Sequence, residues 1–325
     1  MTILAESTVH TLDPFVFKLT DTFGPRWYGV SYALGFMAAW LILRWLSRTG
    51  RTPIRPAQVG DFITWCIVGV VVGGRLGHVL LYDREVLWTF SGSFPFWELL
   101  AIHRGGMSSH GGITGVILAC IAFGRANGIA PLAVVDTSAF IAPAGLMFGR
   151  LANWVNGELW GKVLPAGMQA SPPWWSVKYP REAIDLASSA SAREQAEHLV
   201  AMAYAGDQRA VAEVAALVPA RYPNNFIQAF TDGPALMLVL VIVWWKPRLA
   251  GTMSGAFLVA YGVLRVLSEQ YREPDSAVLF EVPAPIGAVT SPILVSALMV
   301  VLGSVVIALR PRSGPVIGGV RPRPA

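Results

Sequence analysis

Long apolar stretches bounded by polar or charged residues recur along the 325-residue chain. A helix needs about 20 mostly apolar residues to cross a bilayer. The stretches that reach or approach this length predict seven transmembrane helices, at about residues 27–46, 60–82, 106–124, 131–154, 226–245, 252–271 and 284–309. The pattern therefore predicts an all-α polytopic membrane protein with about seven spans.

The composition supports this class and argues against others. Hydrophobic residues make up 54% of the chain, charged residues only 14%, and the mean hydropathy is +0.52, values that do not suit a soluble domain. The net charge is +5, but the arginines stand beside apolar stretches rather than along one basic face. Nucleic acid is therefore not an expected partner. Cys66 and Cys120 lie in apolar segments without metal or disulfide spacing, so we expect them to pack as small hydrophobes.

The basic residues between spans predict the orientation, because short cytoplasmic loops collect Lys and Arg. Basic clusters follow the first, third, fifth and seventh spans, which places the N-terminus outside and the C-terminus in the cytoplasm. The Ala- and Glu-rich tract 181–216 predicts one or two amphipathic helices on the outer surface. The Pro- and Gly-rich tail is predicted to be disordered and to favour anionic lipid headgroups. The predicted divisions are an external N-terminal segment (1–25), spans one to four (26–155), an external helical segment (156–224), spans five to seven (225–309) and a cytoplasmic tail (310–325).

Two polar motifs lie in the first half of the chain. Arg75 stands among Gly73, Gly74 and Gly77, which indicates either a close helix-packing seam, with the arginine satisfied by carbonyls, or a functional cation. His110 lies in RGGMSSHGGITG, where glycine pairs favour broken backbone that lines a cavity. A histidine there can accept a proton near neutral pH, or it can simply hydrogen-bond a neighbour in a re-entrant turn.

The densest polar motif is GRLANWVNGELWG. Arg150 and Asn153 are three residues apart, so on a helix they share a face and can converge on one phosphate or carboxylate. Glu158 is predicted to orient the arginine or to cap the helix end. A helix terminus carrying interfacial tryptophans would explain Trp154 and Trp160, but not the polar cluster.

A second stripe recurs in the sixth predicted span. Tyr261, Arg265 and Glu269 are spaced four residues apart and so lie on one helical face. An Arg265–Glu269 pair could be purely structural, but such pairing adds little stability where apolar residues would serve. A guanidinium partly held by Glu269 is suited to receive a substrate phosphate.

These motifs together resemble a known family. GGMSSHGG, GRLANWVNGELWG and YGVLRVLSEQYREPD, with PRWYGVSYALGF and GGRLGHVLLYD before them, are similar to the prolipoprotein diacylglyceryl transferases of bacteria, over residues 25 to 305. The resemblance implies a seven-span inner-membrane enzyme. Such an enzyme transfers the diacylglyceryl group of phosphatidylglycerol to the lipobox cysteine of a preprolipoprotein and releases glycerol phosphate. It implies no metal and no organic cofactor.

The resemblance also assigns roles. It places the family's essential arginines at Arg150 and Arg265, its HGG histidine at His110 and its first-span tyrosine at Tyr28. Tyr261 also matches the family and joins this catalytic set, where Tyr28 and Tyr261 either act chemically or orient the headgroup and the arginines. We take His110 as the base that activates the acceptor thiol; the alternative is that His110 only binds the lipid headgroup. The expected substrate-binding residues are Arg75, Asn153, Glu158, Gly161 and Glu269.

The chain departs from the family pattern in three places. Ala152 replaces the usual glycine, and RYPNNFIQAF at 221–230 stands where the family commonly has histidine-proline-serine-glutamine. The segment after Gly161 is also longer than usual. These departures put substrate preference in doubt rather than the reaction class.

Two other functions fit the composition. A transporter or flippase of an anionic phospholipid would use the same arginines as a transient headgroup site but leave the lipid chemically intact. A non-catalytic scaffold would not need Arg150, Arg265 and His110 in apolar surroundings.

Overall fold

The long apolar stretches form helices, which satisfy their backbone hydrogen bonds internally where no water is available. The computed structural model describes residues 7–18, 24–92, 95–102, 105–274, 280–281 and 288–319. The first four α-helices among these residues are α1 (Trp27–Arg48), α2 (Val59–Leu81), α3 (Ser109–Ala126) and α4 (Pro131–Val155). Four shorter ones follow: α5 (Ala166–Gln169), α6 (Glu182–Asp185), α7 (Ala190–Tyr204) and α8 (Gln208–Leu217). The last four are α9 (Asn224–Phe230), α10 (Leu236–Trp244), α11 (Thr252–Glu269) and α12 (Ser291–Leu309).

Five helical stretches of the described residues are long and apolar enough to cross a membrane: Trp27–Arg48, Pro56–Leu81, Pro131–Val155, Asn224–Trp244 and Ser291–Leu309. The chain is therefore a multi-pass membrane protein. The two remaining predicted spans correspond to α3 and α11. α3 begins with Ser109 and His110 and has Arg125 in its last turn, and α11 carries Arg265 and Glu269. The predicted start of the last span, residues 284–287, lies outside the described residues.

The structure also contains short strands, which the all-α prediction did not include. β1 (Thr8–Val9) pairs in parallel with β2 (Val177–Lys178), and β4 (Phe280–Glu281) pairs antiparallel with β5 (Ala288–Val289). β3 (Arg248–Leu249) pairs antiparallel with β6 (Val316–Ile317). β6 lies in the tail that was predicted to be disordered. There the backbone is held by pairing with β3 and by a hydrogen bond of 2.9 Å from Gly319 N to Trp244 O.

The chain divides into two compact units. The first comprises residues 1–35, 143–238 and 259–301, and the second comprises 36–142, 239–258 and 302–325.

The second unit contains a seam of glycines between α2 and α3. Gly69, Gly73 and Gly77 on α2 face Gly111 and Gly115 on α3, and a Cβ added at Gly115 would collide with the carbonyl of Gly69. Only glycine permits this backbone approach, as small residues do at helix interfaces in membranes. The packing seam predicted around Arg75 is thereby confirmed for its glycines.

In the first unit, residues 156–224 form a small helical layer. The tract predicted to hold amphipathic helices folds as α6, α7 and α8, and Ser189 and Asp207 cap the N-termini of α7 and α8 with their side chains. The buried faces of these helices form a core of small apolar residues: Ala183, Ala196, Val200, Ala203, Ala210, Val214 and Val218.

Candidate functional site

The site in the first unit is built around the C-terminal half of α4. This helix ends at Val155, and the chain leaves it through a turn in which Leu159 has a φ of 57°. A left-handed conformation is unusual for a leucine, and such strain is typically found at functional sites. Arg150, Asn153 and Glu158 therefore lie on the last turns of α4 and the turn that follows.

Arg150 is held by a carboxylate that the sequence analysis did not select. Its Nε donates to Asp232 Oδ2 at 2.7 Å, and Asp232 is fully buried. Tyr261 of α11 also hydrogen-bonds the Arg150 guanidinium. Glu158, which was predicted to orient Arg150 or to cap the helix end, accepts a hydrogen bond from Tyr28, and Asp232 is the carboxylate that holds Arg150.

Asp232 lies in a π-helical turn, Thr231–Ala235, between α9 and α10. Pro234 in this turn has no backbone N–H to donate, which favours a local change of helical hydrogen bonding. Gly233 allows close approach, since a Cβ there would lie 2.7 Å from Met147 Cβ. Single π turns occur frequently at functional sites. A lone acidic residue inside the predicted span 226–245 was the sequence signal for Asp232.

A second cluster joins α1 to the end of α4. The Tyr28 hydroxyl donates to Glu158 Oε1 at 2.9 Å. With the orientation that its hydrogen bonds assign, the Asn153 amide nitrogen donates to Gly149 O at 3.0 Å and to Glu158 Oε1 at 3.3 Å, and it contacts the Tyr28 hydroxyl. Glu158 thus accepts from two side chains that were predicted separately from the sequence.

The predicted pair on α11 is confirmed. Arg265 Nη2 lies 2.8 Å from Glu269 Oε2, and both residues are buried, at 7% and 6% exposure. Arg265 Nη1 has no hydrogen-bond partner among the described residues. Burial and the positive charge of Arg265 lower the pKa of the nearby Arg272 to about 10. The first unit therefore brings together the positive charges of Arg150, Arg265 and Arg272 and the carboxylates of Asp232 and Glu269.

Gly161 belongs to a neighbouring cluster organised by Arg221. A Cβ at Gly161 would collide with the carbonyl of Tyr222, so the two chain segments can cross only because residue 161 is glycine. Arg221 donates to Gly161 O at 2.7 Å, to Glu273 Oε2 at 3.0 Å and to both carboxylate oxygens of Glu182 at 2.6 and 2.8 Å. Burial lowers the pKa of Arg221, but the bonds to these carboxylates outweigh it and raise the pKa above its usual value. Arg221 belongs to no local sequence motif and was not among the predicted site residues.

Arg75 and His110 lie in the second unit. Arg75 is buried and donates to four backbone carbonyls, those of Glu98 at 2.5 Å, Leu99 at 2.9 Å, Gly105 at 2.9 Å and Gly106 at 3.1 Å. Of the two roles predicted for Arg75, this is the one in which backbone carbonyls satisfy the guanidinium. Gly105 and Gly106 have φ of 95° and 74°, the broken backbone predicted before α3. His110 is exposed in the first turn of α3, after the Ser108 cap.

In the part of the chain that the structure describes, no group of three or more His, Cys, Asp or Glu side chains is arranged to hold a metal ion.

Comparisons with known proteins support one family. Residues 14–309 match the family model described as prolipoprotein diacylglyceryl transferase. A phosphatidylglycerol–prolipoprotein diacylglyceryl transferase of Bdellovibrio bacteriovorus is 34% identical over 84% of this chain and 86% of that protein. One of Rhodospirillum centenum is 37% identical over 81% and 80% of the two chains, and one of Xanthomonas euvesicatoria pv. vesicatoria is 34% identical over 98% and 97%.

Proposed function

The chain belongs to the prolipoprotein diacylglyceryl transferase family, and we propose that its buried arginines act on the phosphate of phosphatidylglycerol. The protein is a transferase that moves the diacylglyceryl group of phosphatidylglycerol to the lipobox cysteine of a preprolipoprotein, the first step of lipoprotein maturation. In this step the cysteine sulfur forms a bond to the glyceryl carbon, and the carbon–oxygen bond to phosphate breaks. The electron pair leaves on the phosphate oxygen, so the released product is glycerol phosphate.

The observation that carries the arginine assignment is the unused hydrogen-bonding capacity of Arg265. Its Nη2 is held by Glu269, while Nη1 has no partner among the described residues. As the carbon–oxygen bond breaks, negative charge gathers on the phosphate, and fixed donors in a dry site stabilise that charge more than they stabilise the diester. Arg150, held by Asp232 and Tyr261, supplies a second guanidinium in the same unit.

The remaining residues of the first unit position these groups. Tyr28 and Asn153 hold Glu158, and Glu269 fixes the Arg265 guanidinium. Tyr261 acts on substrate through its contact with Arg150. Gly161 lets residues 161 and 222 cross, which supports the turn that carries Glu158.

We assign the proton acceptor for the cysteine thiol to His110, with Arg75 bracing the loop before it through Gly105 and Gly106. This assignment rests on the HGG motif and on the exposed position of His110 in the second unit. Replacing His110 by Gln should remove the histidine limb from the pH–rate profile of transfer. An unaltered profile with a raised KM for lipid would instead make His110 a headgroup ligand.

We further propose that the protein lies in the bacterial inner membrane with its N-terminus and residues 156–224 on the periplasmic side and its C-terminus in the cytoplasm. The basic clusters after predicted spans one, three, five and seven support this orientation. Cysteine accessibility labelling at Ser189 and Arg312, one position on each expected side, would test it.

The function itself is tested by mass spectrometry of a lipobox peptide incubated with purified protein and phosphatidylglycerol. Wild type should add a diacylglyceryl mass to the cysteine and release glycerol phosphate, and Arg150→Ala and Arg265→Ala should lose about 100-fold or more in rate. Arg193→Ala, at an exposed pair on α7, serves as the control. Lipid binding without any peptide mass gain would indicate a lipid transporter instead.

A further inference from the structure

A row of buried polar side chains runs along α9 and into the π-helical turn that follows it. Asn224, Asn225, Gln228 and Asp232 are each at most 1% exposed, and the steps of four from 224 to 232 place them along one side of the helix. Phe226 and Phe230 lie on the other side, 44% and 62% exposed. The amide side chains therefore face the protein interior and the aromatic rings face outward, the reverse of a helix that packs against an apolar core.

Several atoms of this row lack hydrogen-bond partners within the described part of the chain. Both amide atoms of Gln228 are unpartnered, as are Oδ1 of Asn224, Asn225 and Asp232. Buried polar groups are nearly always hydrogen-bonded, because leaving one unpaired costs its full desolvation. Gln228 stands out, since neither its amide donor nor its amide acceptor has a partner among the described residues. A buried glutamine of this kind is suited to a ligand.

Contacts along the helix place Gln228 beside the arginine site. At one end of the row Asp232 binds Arg150. At the other end the amide nitrogens of Asn224 and Asn225 donate to Leu159 O at 2.9 Å and to Glu158 O at 3.0 Å.

The rings of Phe226 and Trp154 approach to 4.7 Å between centroids, at an intermediate level. The row therefore runs antiparallel to the 150–159 segment, and Gln228 falls between the level of Arg150 and that of Glu158.

The donors and acceptors of this row indicate which kind of ligand it can bind. A carboxamide offers one group that donates and one that accepts, and a hydroxyl does both, so an amide pairs fully with hydroxyl groups. The Asp232 Oδ1 is a further acceptor. The substrate of the proposed reaction carries two hydroxyls on its headgroup glycerol, joined to the phosphate that Arg150 and Arg265 are proposed to bind.

We propose that Gln228, with Asp232 Oδ1 beside it, binds the headgroup hydroxyls of phosphatidylglycerol and so makes the enzyme select a glycerol headgroup. This inference rests on the proposed function. A site built around buried polar groups rejects a ligand that lacks the matching hydroxyls, because those groups then stay unpaired. Gln228 also lies in the 221–230 stretch where the chain departs from the family pattern, the region in which substrate preference was in doubt.

The test compares two lipids with the same acyl chains, phosphatidylglycerol and phosphatidylmethanol. The second keeps the anionic phosphodiester but has a methyl group in place of the glycerol and its hydroxyls. Transfer to a lipobox peptide is measured at several lipid mole fractions in mixed micelles. We expect wild type to prefer phosphatidylglycerol by about 10- to 100-fold in kcat/KM. Gln228→Met, which keeps the length of the side chain but removes both polar atoms, should bring this preference close to one.

Thermal melting distinguishes headgroup binding by Gln228 from a structural role, because the loss of a structural residue would lower the melting temperature. Because both amide atoms of Gln228 are unpartnered, Gln228→Met should melt at the same temperature as wild type or higher. Gln208→Met, on the exposed start of α8, is the matched control and should change neither preference nor melting. Gln228→Glu replaces the amide donor with a second acceptor oxygen. This second variant should also lower the preference, and it serves if the methionine variant does not fold.

Three results would overturn the proposal: no preference in wild type, a preference retained in Gln228→Met, or an equal loss on both lipids together with a lowered melting temperature. Failure of the proposed function would look different, since wild-type protein would then transfer nothing from either lipid.

Discussion

Two arginines of the first unit, Arg221 and Arg265, are buried to a similar extent but differ in how many of their guanidinium nitrogens have hydrogen-bond partners. They are 6% and 7% exposed, and each pairs with a buried glutamate. Every guanidinium nitrogen of Arg221 has an acceptor, from Glu182, Glu273 and Gly161 O. Arg265 has one carboxylate on Nη2 and leaves Nη1 without a partner among the described residues.

The difference is one of remaining capacity. A guanidinium with an acceptor at each of its three nitrogens, such as that of Arg221, fixes the segments that it joins and leaves no nitrogen free for a substrate. A guanidinium that is only partly held keeps its orientation and retains a donor for an incoming phosphate. Counting the donors of a buried arginine thus separates a structural cation from a candidate ligand-binding one more clearly than its burial does.

The largest effect we expect is on stability, at Arg221. Arg221→Met would leave Glu182, which is 4% exposed, as an uncompensated buried charge, and should destabilise the protein by about 3–5 kcal/mol. Denaturation of the purified protein in detergent measures this loss. The double variant Arg221→Met with Glu182→Met should recover most of it, because no charge is left buried. If the single variant is as stable as wild type, Arg221 is not a structural cation.

Arg265→Lys should have the opposite profile. A lysine preserves the charge near Glu269 but cannot present two donors in a planar fork, so the transfer rate should fall by about 100-fold while the melting temperature changes little. Arg193→Lys is the matched control, since Arg193 and Glu197 form the same i, i+4 pair at 59% and 56% side-chain exposure. Equal activity of the lysine enzyme and wild type would show that Arg265 contributes only charge.

Tyr28→Phe tests whether the cluster around Glu158 has a structural role, as proposed for Arg221, or a role in the reaction, as proposed for Arg265. The substitution removes a hydroxyl that donates to Glu158 at 2.9 Å. If the cluster positions the active site, kcat should fall by about 10-fold with a small change in melting. Tyr32→Phe, at a 54% exposed tyrosine whose ring lies 5.8 Å from that of Tyr28, should leave kcat unchanged. A large loss of stability without loss of kcat would place Tyr28 with Arg221.

The smallest effect that we expect is on the pH dependence of stability and concerns His10, a side chain of the first unit. Its Nε2 lies 2.6 Å from Trp154 O, and burial lowers the pKa of His10 below 6.5. The unfolded chain therefore binds a proton at a higher pH than the folded protein does, so stability is lost as the pH falls below about 6.5. His10→Phe should reduce the decrease in melting temperature between pH 7 and pH 5.5 by about 1–3 °C. His198→Phe, at an exposed histidine of α7, should not change it.

Much of this architecture could be predicted from the sequence, because apolar length and helical spacing are local properties. The spacing of Tyr261, Arg265 and Glu269 predicted their common face, and the Arg265–Glu269 pair is confirmed. α3 and α11 form where spans were predicted, although their polar residues leave five helices of clear membrane-crossing character among the described residues.

The partners of the charged residues could not be predicted in the same way. Asp232 and Arg150 are 82 residues apart, and Arg221 and Glu182 are 39 apart, so their pairing depends on how helices pack rather than on any local pattern. Glu158 was the nearest carboxylate to Arg150 in sequence, yet it binds Tyr28. Asp232 alone carried a sequence signal, an acidic residue in a predicted span.

The π-helical turn at Thr231–Ala235 makes the site sensitive to chain length as well as to residue identity. Each residue of an α-helix rotates the chain by about 100°. Deleting Thr231 would bring the carboxylate of residue 232 one step closer to Gln228 in sequence and turn it by about that angle, away from the row of amides. Gln228 and Asp232 would both still be present, but the proposed headgroup ligand and the partner of Arg150 would no longer lie on one side of the helix. For this segment a one-residue deletion should therefore be more harmful than most substitutions.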